Sequence, residues 1–338
     1  MGNQLCKRGK LSRWTKRPTG FVHDHQTLPS EIGIRTVSVD KACNFSTTSN
    51  LCISIVTWNM NGQVSFEDLA EMVGSKRDFD LLVVGLQEAP RKNVATMLLA
   101  ALDESHTLIG KVAMQSLQLY LFGRKNVGSF IEELQVDKES VGGCGGIIGR
   151  KKGAVAIRIN YNGISLVFIS CHLSAHGRNV EERNYECRHI SHSLFSKILN
   201  PNSRPAHMIV WLGDLNYRLQ GIDTHPARNL IDKDLHHKLH GNDQLLQQAG
   251  EGQIFNGFCE GTLTFKPTYK YNKGSSNYDT SHKVRVPAWT DRILFKIEDT
   301  YNVEANLRSY ESLDEIYGSD HKPVKAHICL RLPQTQSN

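Results

Sequence analysis

Short apolar runs rich in β-branched residues recur along the chain from about Leu51 onward. Runs of this length, bounded by polar and turn-forming residues, are typical of buried strands, whereas helices in globular proteins need longer periodic segments. We therefore predict a buried strand at each run. The runs are Ile53–Val56, Leu81–Val84, Val155–Ile157, Leu166–Ile169, Met208–Trp211, Ile293–Phe295 and Val324–Ile328.

Longer stretches with one apolar face separate some of these runs. Phe66–Val73 and Val94–Leu102 have this pattern, and Glu181–Leu199 keeps its apolar residues on one side as far as Pro201. An apolar stripe at helical spacing predicts a helix that packs one face on a core. Strands interleaved with such helices predict a mixed α/β domain.

The domain organisation is simple. Residues 1–50 are rich in Ser, Thr, Asn and charge and show no sustained periodicity, so we predict a flexible N-terminal tail there. No repeat or linker-like composition divides residues 51–338, which we predict to be one domain. The Gly-rich segment Val141–Gly153 and the polar segment Asn272–Lys283 are predicted to be its long surface loops.

The composition changes this picture little. Of the 338 residues, 39% are hydrophobic and 22% are charged, which is ordinary for a folded globular chain. No apolar run approaches the roughly 20 residues that cross a bilayer, and the start lacks the apolar core of a secretory signal. We therefore expect an intracellular protein. Its 8 cysteines include no C-x-x-C pair, so we expect free thiols in a reducing compartment.

Charge is concentrated at the N-terminus. The formal net charge is +6, and residues 1–20 hold 6 basic residues and no acidic one, so the remaining chain sums to zero (6 − 6 = 0). A cationic tail on a neutral body suits an anionic membrane surface better than duplex nucleic acid. The basic residues are Lys7, Arg8, Lys10, Arg13, Lys16 and Arg17.

Clusters of polar residues follow several of the predicted strands. They are Trp58–Gly62, Gln87–Glu88, Ser170–His172, Gly213–Asn216 and, before the last strand, Ser319–His321. In open α/β sheets ligands bind beyond the strand ends, so the repetition predicts one composite site. Together the clusters supply carboxylates, amides and histidines, which are the groups that metal-assisted phosphoryl hydrolysis needs.

Each cluster alone has a simpler explanation. Asp-x-Asn after a strand is usually turn chemistry, and Glu88 alone could be a solvated surface carboxylate. His172 and His176 have the spacing of a helical zinc pair, but they leave a strand and no Glu lies beside them, which disfavours zinc. Trp211 and Trp289 are most simply explained as core packing.

The complete motif set resembles the inositol polyphosphate 5-phosphatase family, within the endonuclease/exonuclease/phosphatase superfamily. The resemblance spans about residues 51–330, and G-D-L-N-Y-R and P-A-W-T-D-R-I-L are specific to the 5-phosphatases. It implies a four-layer α/β sandwich, in which two facing mixed β-sheets are flanked by helices. The motifs are W-N-M-N-G (58–62), L-Q-E (86–88), S-C-H-L-S-A-H (170–176), W-L-G-D-L-N-Y-R-L (211–219), F-K-P-T-Y-K-Y (265–271), V-P-A-W-T-D-R-I-L (286–294) and S-D-H-K-P-V (319–324).

The resemblance also implies roles for individual residues. Glu88, with Asn59 close by, would hold Mg²⁺, a hard cation that prefers oxygen ligands. Asp214 would be the general base that activates the attacking water. Asn216 would orient that water or stabilise the phosphoryl group.

Two histidines are implied to act on the phosphate itself. His321, held by Asp291 and flanked by Asp320, would contact the scissile phosphate, and His172 would donate a hydrogen bond from another side. Oriented donors of this kind stabilise the negative charge that an in-line displacement places on the phosphoryl oxygens.

Substrate choice is implied to come from Tyr269, Lys270, Lys283 and Arg285. These residues match the family positions that hold the neighbouring 4-phosphate, and charge-assisted contacts from Lys and Arg suit a second phosphate. The alternative is a solvated basic loop. The segment Gly149–Val155 departs from the usual family sequence by one additional basic residue.

The first six residues resemble an N-myristoylation start, although Cys6 stands where the simplest pattern has Ser or Thr. Acylation of Gly2 or Cys6 together with the basic tail would provide the two signals that stable anchoring needs. An organellar transit peptide and a tail without function are the alternatives.

An anchored enzyme would meet lipid head groups. We therefore expect phosphatidylinositol 4,5-bisphosphate as the main substrate, with the 3,4,5-trisphosphate as a further candidate. The alternatives are a soluble inositol 1,4,5-trisphosphate or 1,3,4,5-tetrakisphosphate 5-phosphatase, a nuclease or phosphodiesterase of the same superfamily, and a catalytically dead scaffold. Because Glu88, Asp214 and His321 are all present, the scaffold ranks last. We expect a monomer that does not bind nucleic acid.

Overall fold

A computed structural model describes residues 32–40, 50–74, 78–141, 152–196, 205–298 and 303–332. All of these residues belong to the unit Glu31–Asn338. The predictions about Gly2, Cys6 and the basic tail therefore lie outside the described residues. So does most of the predicted loop Val141–Gly153.

The described residues form strands and α-helices, with short 3-10 helices at Gly128–Phe130 and His236–Asn242. The strands are β1 (Ile34–Val37), β2 (Asn50–Asn59), β3 (Leu81–Gln87), β4 (His106–Met114), β5 (Leu117–Arg124), β6 (Ile131–Val141), β7 (Lys152–Tyr161), β8 (Ile164–His172), β9 (Met208–Asp214), β10 (Phe258–Gly261), β11 (Asp291–Ile297), β12 (Glu304–Ser312) and β13 (Val324–Arg331). The helices are α1 (Phe66–Val73), α2 (Val94–Ala101), α3 (Val180–Ser193), α4 (Thr224–Asp232) and α5 (Gln244–Gly250).

The strands form two mixed sheets. One has 7 strands in the order β1-β10-β11-β9-β8-β7-β6, and the other has 6 in the order β12-β13-β2-β3-β5-β4. The sheets pack face to face, with β2 and β3 of one against β9 and β8 of the other. Helices α1 and α2 cover the outer face of the six-stranded sheet, and α3 and α5 cover that of the seven-stranded sheet. The predicted α/β sandwich is confirmed.

Side-chain alternation along the central strands explains this layering. In β3, Leu81 and Val83 belong to the core between the sheets, whereas Leu82 and Val84 belong to the core beneath α1 and α2. Successive residues of a strand point to opposite faces. A strand buried on both faces must therefore be apolar at every position, and this is why the sequence shows continuous apolar runs.

The outer face of the seven-stranded sheet follows the same rule. Ile169 and Trp211 pack there beneath α3, and Trp289 lies in the core between the sheets. Both tryptophans are core residues, as the sequence analysis proposed.

The predicted helices agree with the structure except at one end. Helix α1 begins after Ser65, whose hydroxyl accepts the N–H of Asp68 at 3.0 Å. It ends at Val73 and is followed by Gly74, whose φ of 78° the lack of a Cβ allows. Helix α3 ends at Ser193, six residues before the predicted Leu199, because Leu194 adopts an extended conformation.

Two observations differ from the sequence-based expectations. Strand β1 lies within the range that was predicted to be a flexible tail, and it pairs in parallel with β10. Because it is only 4 residues long and has no fully buried position, the sequence shows no apolar run there. Cys52 and Cys329 form a disulfide, so the expectation of free thiols is wrong for this pair. The two cysteines are 277 residues apart, and only the pairing of β2 with β13 brings them together.

The remaining described cysteines, Cys171, Cys187 and Cys259, are buried free thiols. Among the described residues, no helix is long and apolar enough to span a membrane.

Candidate active site

Three neighbouring strands of the seven-stranded sheet bring polar residues to one edge. His172 at the end of β8 pairs with Asp214 at the end of β9, which in turn pairs with Asp291 at the start of β11. Gly213 precedes Asp214 with a φ of 141°, and a Cβ there would lie 2.1 Å from the carbonyl oxygen of Cys171. Only glycine therefore allows β9 to carry Asp214 this close to β8.

The six-stranded sheet contributes from the opposite side. Asn59 ends β2 and pairs with Gln87, the residue before Glu88. Its Nδ2 donates to Asp214 Oδ2 at 2.9 Å, which joins the two sheets through their polar ends. The Ser319 hydroxyl donates to the Asn59 carbonyl at 2.6 Å, so the segment before β13 is tied to the same point.

Asp214 lies at the centre of this cluster. It is only 1% exposed, and its Oδ1 accepts the N–H of Asn216 at 3.1 Å. Burial by itself raises the pKa of this carboxyl, but the hydrogen bond from His172 and the positive charge of His321 outweigh burial and hold the pKa well below its ordinary value. The carboxylate is therefore ionised at neutral pH.

His172 lies between an acidic residue, Asp214, and a basic residue, Lys152. Its Nε2 is 3.3 Å from Asp214 Oδ2 and also contacts the ammonium group of Lys152. Burial lowers the pKa of His172, and the neighbouring Lys152 charge lowers it further. His176 is exposed. Among the described residues, His172 and His176 do not belong to any group of three or more side chains that are close enough to share a metal ion.

Asn216 is held by groups on both sides. Its Nδ2 donates to the Leu173 carbonyl at 3.0 Å, and its Oδ1 accepts from Arg218. The guanidinium of Arg218 also stacks over the Tyr269 ring, 4.2 Å from the centroid. Arg218 thus links Asn216 to Tyr269. Arg218 lies within the motif W-L-G-D-L-N-Y-R-L, but no role was predicted for it.

His321 is paired with Asp291. Its Nδ1 is 2.9 Å from Asp291 Oδ2, and that oxygen also accepts the hydroxyls of Thr268 at 2.8 Å and Thr290 at 2.9 Å. Burial lowers the pKa of His321, but the charge and hydrogen bond of Asp291 outweigh it and raise the pKa to about 9. The imidazolium form therefore persists at neutral pH.

Asp320 connects the cluster to Lys270, one of the residues that were predicted to select the substrate. Its Oδ1 accepts from Asn61 Nδ2 at 2.6 Å, and its Oδ2 is 3.1 Å from Lys270 Nζ. Burial opposes the charged form of Asp320, but the His321 charge and the Lys270 hydrogen bond lower its pKa. The Tyr269 ring lies 4.5 Å from the His321 ring, centroid to centroid.

Two further residues that were predicted to select the substrate, Lys283 and Arg285, lie farther along the same loop. The N–H of Arg285 donates to Asp279 Oδ2 at 3.0 Å, and the N–H of Asp279 donates to the Lys270 carbonyl at 2.8 Å. Lys283 is exposed. The structure thus brings Tyr269 and Lys270 to the cluster directly and Arg285 through Asp279, and it connects Lys283 only through the loop.

Glu88 and Asn59 fit a hard cation. Glu88 is half-buried and follows β3 with a φ of 50°, which turns the chain away from the sheet directly beside Asn59. A carboxylate and an amide oxygen are donors of the kind that Mg²⁺ accepts. A cleft of about 830 Å³, lined by Gly62, Ala89, Arg91 and Gln115, adjoins them.

A second group of metal-type donors consists of Asp214, Asp291 and His321, whose donor atoms lie within 4.8 Å of one another. Asp291 Oδ2 accepts from His321 Nδ1, Thr268 and Thr290, whereas Asp291 Oδ1 is buried and has no hydrogen-bond partner among the described residues.

Comparisons with known proteins identify relatives of this chain. Residues 56–327 match the model of Endonuclease/Exonuclease/phosphatase family 2. The chain is 57% identical over 329 residues, which are 97% of each protein, to the type IV inositol polyphosphate 5-phosphatase 11 of Arabidopsis thaliana. It is 34% identical to the type II inositol 1,4,5-trisphosphate 5-phosphatase of Mus musculus, over 87% of this chain and 31% of that protein.

A solved structure leads to the same family. The 5-phosphatase domain of SPsynaptojanin, in complex with inositol (1,4)-bisphosphate and calcium ion, superposes with a TM-score of 0.72 and 28% identity over 84% of this chain and 86% of that one. A Cimex nitrophorin has a TM-score of 0.69 at 22% identity over 84% of this chain and 99% of that one, and this likeness concerns the fold alone.

The chain therefore belongs to the inositol polyphosphate 5-phosphatase family, within the endonuclease/exonuclease/phosphatase superfamily. It is accordingly a phosphoric monoester hydrolase. Dependence on a divalent metal ion is a property of the superfamily.

Sequence reasoning missed the groups that hold the site residues in place. Besides Arg218, these are Lys152 against His172, Asn61 against Asp320, and the hydroxyls of Thr268 and Thr290 on Asp291. Each lies within or beside a quoted motif. Thr290 directly precedes its partner Asp291, but the partners of Lys152, Asn61 and Thr268 are 20 or more residues away, so the sequence offered no signal for those pairings.

Proposed function

We propose that this protein is a Mg²⁺-dependent phosphatase that removes the 5-phosphate from phosphoinositides, chiefly phosphatidylinositol 4,5-bisphosphate, with the 3,4,5-trisphosphate as a further substrate. The observation that carries this proposal is the contact of Lys270 with Asp320, beside the His321–Asp291 pair. A cation that is held next to the hydrolytic cluster can bind a phosphate adjacent to the one that is cleaved.

In this proposal Glu88 and Asn59 hold Mg²⁺. When bound there, the ion supplies positive charge that offsets the charge of the scissile phosphate and its leaving oxygen. The proposal draws support from the oxygen donor set and from the calcium ion named for the SPsynaptojanin structure.

Asp214 positions the attacking water and accepts its proton. A carboxylate whose pKa is held far below the working pH is always ionised but is a weak base, so its first contribution is to orient the water. The phosphates of a bound substrate add negative charge nearby and raise the pKa of Asp214, which prepares it to take the proton. Asn216, two residues after Asp214, orients the same water.

The two histidines act as donors to the phosphoryl oxygens. His321 is kept cationic by Asp291 and stabilises the charge that develops in the transition state, while His172 donates from the β8 side. Asp320 holds Lys270 toward the adjacent phosphate, and Tyr269, Lys283 and Arg285 complete the pocket for the 4-phosphate.

The preference for a lipid substrate rests on the cationic N-terminal segment and on the names of relatives. Residues 1–20 carry 6 basic and no acidic residues, which favours an anionic leaflet. The chain is 32% identical to the human phosphatidylinositol 4,5-bisphosphate 5-phosphatase A, over 82% of this chain and 31% of that protein. We also propose an intracellular monomer that associates with membrane through this segment, aided by acylation of Gly2 or Cys6.

The test is phosphate release by the full chain from vesicles that contain phosphatidylinositol 4,5-bisphosphate. Soluble inositol 1,4,5-trisphosphate and an abasic duplex are assayed in parallel, each with EDTA and then with excess Mg²⁺. We expect release from the lipid that EDTA abolishes, that Mg²⁺ restores and that Asp214→Asn loses. Faster release from the soluble substrate would overturn the lipid preference. Cleavage of the duplex without release from any inositol phosphate would overturn the proposed activity.

A soluble-substrate enzyme is the second candidate. It is favoured by the name of the Mus musculus relative, a type II inositol 1,4,5-trisphosphate 5-phosphatase. The two candidates share every catalytic step and differ only in whether membrane binding contributes to the rate. Removal of residues 1–20 distinguishes them, since it slows only the vesicle reaction if the lipid is the substrate.

A further inference from the structure

A separate group of side chains that could bind a metal ion lies on the outer face of the six-stranded sheet. Cys52 on β2 stands directly opposite Cys329 on β13, with their Cα atoms 4.1 Å apart, and the two form a disulfide. His327 lies two residues before Cys329 on the same strand, and its Nε2 is 3.6 Å from Cys329 Sγ. One donor atom from each of these three residues lies within 4.8 Å of the other two.

Strand alternation fixes which face this is. Ile328 and Leu330 belong to the core between the sheets, so their neighbours His327 and Cys329 point outward. The group lies about 23 Å along β2 from Asn59, at ~3.3 Å per residue, and is therefore separate from the catalytic cluster. Cys52 and His327 are half-buried, so a small solute can reach them.

A hydroxyl without a partner lies on the same face. Ser54 is paired with His327 across the β2–β13 ladder and is two residues beyond Cys52. It is 1% exposed, and its Oγ has no hydrogen-bond partner in the part of the chain that the structure describes. A buried polar atom without a partner costs free energy unless a bound water or ligand satisfies it. It is therefore an independent sign that a polar species binds here.

We propose that Cys52, Cys329 and His327 form a site that holds a disulfide when oxidised and a thiophilic cation of the Zn²⁺ class when reduced. Two thiolates and one imidazole are a ligand set that selects Zn²⁺ over hard cations such as Mg²⁺. The fourth position is open to water, to which the Ser54 hydroxyl can hydrogen-bond. The carboxylate of Asp80, which accepts the Cys52 N–H at 2.8 Å, adds negative charge beside the cation.

The two states exchange in balanced steps. A thiol or phosphine reductant supplies two electrons and, with two protons from water, converts the disulfide to two thiols. Binding of Zn²⁺ then releases both thiol protons, because the ligands are thiolates. Each state cross-links β2 to β13, so the metal preserves in a reducing compartment the link that the disulfide makes in an oxidising one.

The test uses the full chain, reduced with a phosphine and freed of metal without exposure to air. Zn²⁺ is titrated against a chromogenic chelator, and Co²⁺ is used as a spectroscopic substitute. We expect wild type to bind one more equivalent of Zn²⁺ than Cys329→Ser or His327→Asn. We also expect the thiolate charge-transfer band of Co²⁺ to be lost in Cys329→Ser. The matched control is Cys259→Ser, a buried free thiol in the other sheet.

A second measurement uses wild type alone and so does not depend on how the variants fold. The reduced chain is re-oxidised with oxidised glutathione, with and without Zn²⁺, and the Cys52–Cys329 disulfide is quantified by peptide mapping. We expect Zn²⁺ to slow its formation at least several-fold. Equal Zn²⁺ stoichiometry in wild type and Cys329→Ser, or re-oxidation at the same rate with and without Zn²⁺, would overturn the proposal.

Discussion

His321 Nδ1 donates to Asp291 Oδ2 across 2.9 Å, in a site where His321 is 5% exposed and Asp291 is fully buried. Thr268 and Thr290 fix the accepting oxygen, so the pair has one geometry. The negative charge of Asp291 makes the imidazolium the stable form in a buried position where burial alone would favour the neutral ring. This relationship leads to the first prediction.

We expect phosphatase activity to depend on cationic His321 and to fall as the pH rises through about 9, the pKa of this group. In Asp291→Asn the carboxylate charge is gone, so the pKa of His321 falls and the alkaline limb of the kcat/KM profile moves to lower pH. The measurement is the pH dependence of phosphate release by both proteins. An alkaline limb in the same place in both would contradict the assignment.

The same pKa shift affects stability with a defined sign. The folded-state pKa of His321 lies above the ordinary value of 6.5, so the folded state binds the proton more tightly than the unfolded chain does. Its contribution to the free energy of unfolding is complete below about pH 6.5 and is lost as the pH rises through about 9. The stability difference between wild type and His321→Gln should shrink over that range, as measured by urea unfolding.

Asp214→Asn tests the proposed base. The amide keeps the shape of the carboxylate, but it cannot accept the proton of the attacking water. We expect kcat to fall about 10²- to 10⁴-fold, the usual contribution of a general base, with little change in KM. Single-turnover phosphate release measures this, and a circular-dichroism melt checks folding. A fall in kcat of less than about 10-fold would indicate that another group is the general base.

Arg218 is predicted to be a positioning residue. Arg218→Met removes both the contact with Asn216 Oδ1 and the stacking on Tyr269. We expect kcat/KM to fall about 10- to 100-fold because a small misplacement of an orienting group has effects of this size. Arg218→Lys keeps the charge but not the planar stacking, so it should recover only part of the loss. The exposed Arg178→Met is the control, and equal activity in all variants would exclude this role.

Lys270 is predicted to select substrates with a 4-phosphate. In Lys270→Met we expect kcat/KM for such substrates to fall about 10- to 100-fold, from the ~1.5–3 kcal/mol of a hydrogen bond to a charged group. A substrate without that phosphate should change little. Lys273→Met, at an exposed position of the same loop, is the matched control. Equal losses on both substrates would indicate damage to the site instead of lost recognition.

The buried ion-pair network around Arg292 is predicted to control stability. Its guanidinium is fully buried and contacts Asp243 at 3.0 Å and Glu260 at 2.5 Å. Arg292→Met leaves both carboxylates buried and unpaired, and we expect a loss of about 3–5 kcal/mol in the free energy of unfolding. Arg331→Met breaks an exposed pair with Glu304 and should cost at most ~1 kcal/mol. Similar denaturant midpoints for the two variants would contradict this distinction.

Part of the site could be predicted from the sequence because its residues lie in short motifs at strand ends. Glu88, Asp214 and His321 each follow or precede an apolar run, and the structure places all three at the same edge of the sandwich. Lys283 shows the limit of this reasoning. The motif gives the position of Lys283 in the chain, but whether the Lys283 side chain reaches the site depends on how the loop folds.

The sequence by itself determined the α/β class, the buried central strands and the set of chemical groups, because apolar periodicity and strand-end motifs are local properties of the chain. Only the tertiary structure decided which of these groups touch. The contact of Asn59 with Asp214 joins two sheets, that of Arg218 with Tyr269 joins two loops, and the bond of Cys52 with Cys329 joins strands 277 residues apart. Such contacts follow from strand order and register, which no local pattern of residues specifies.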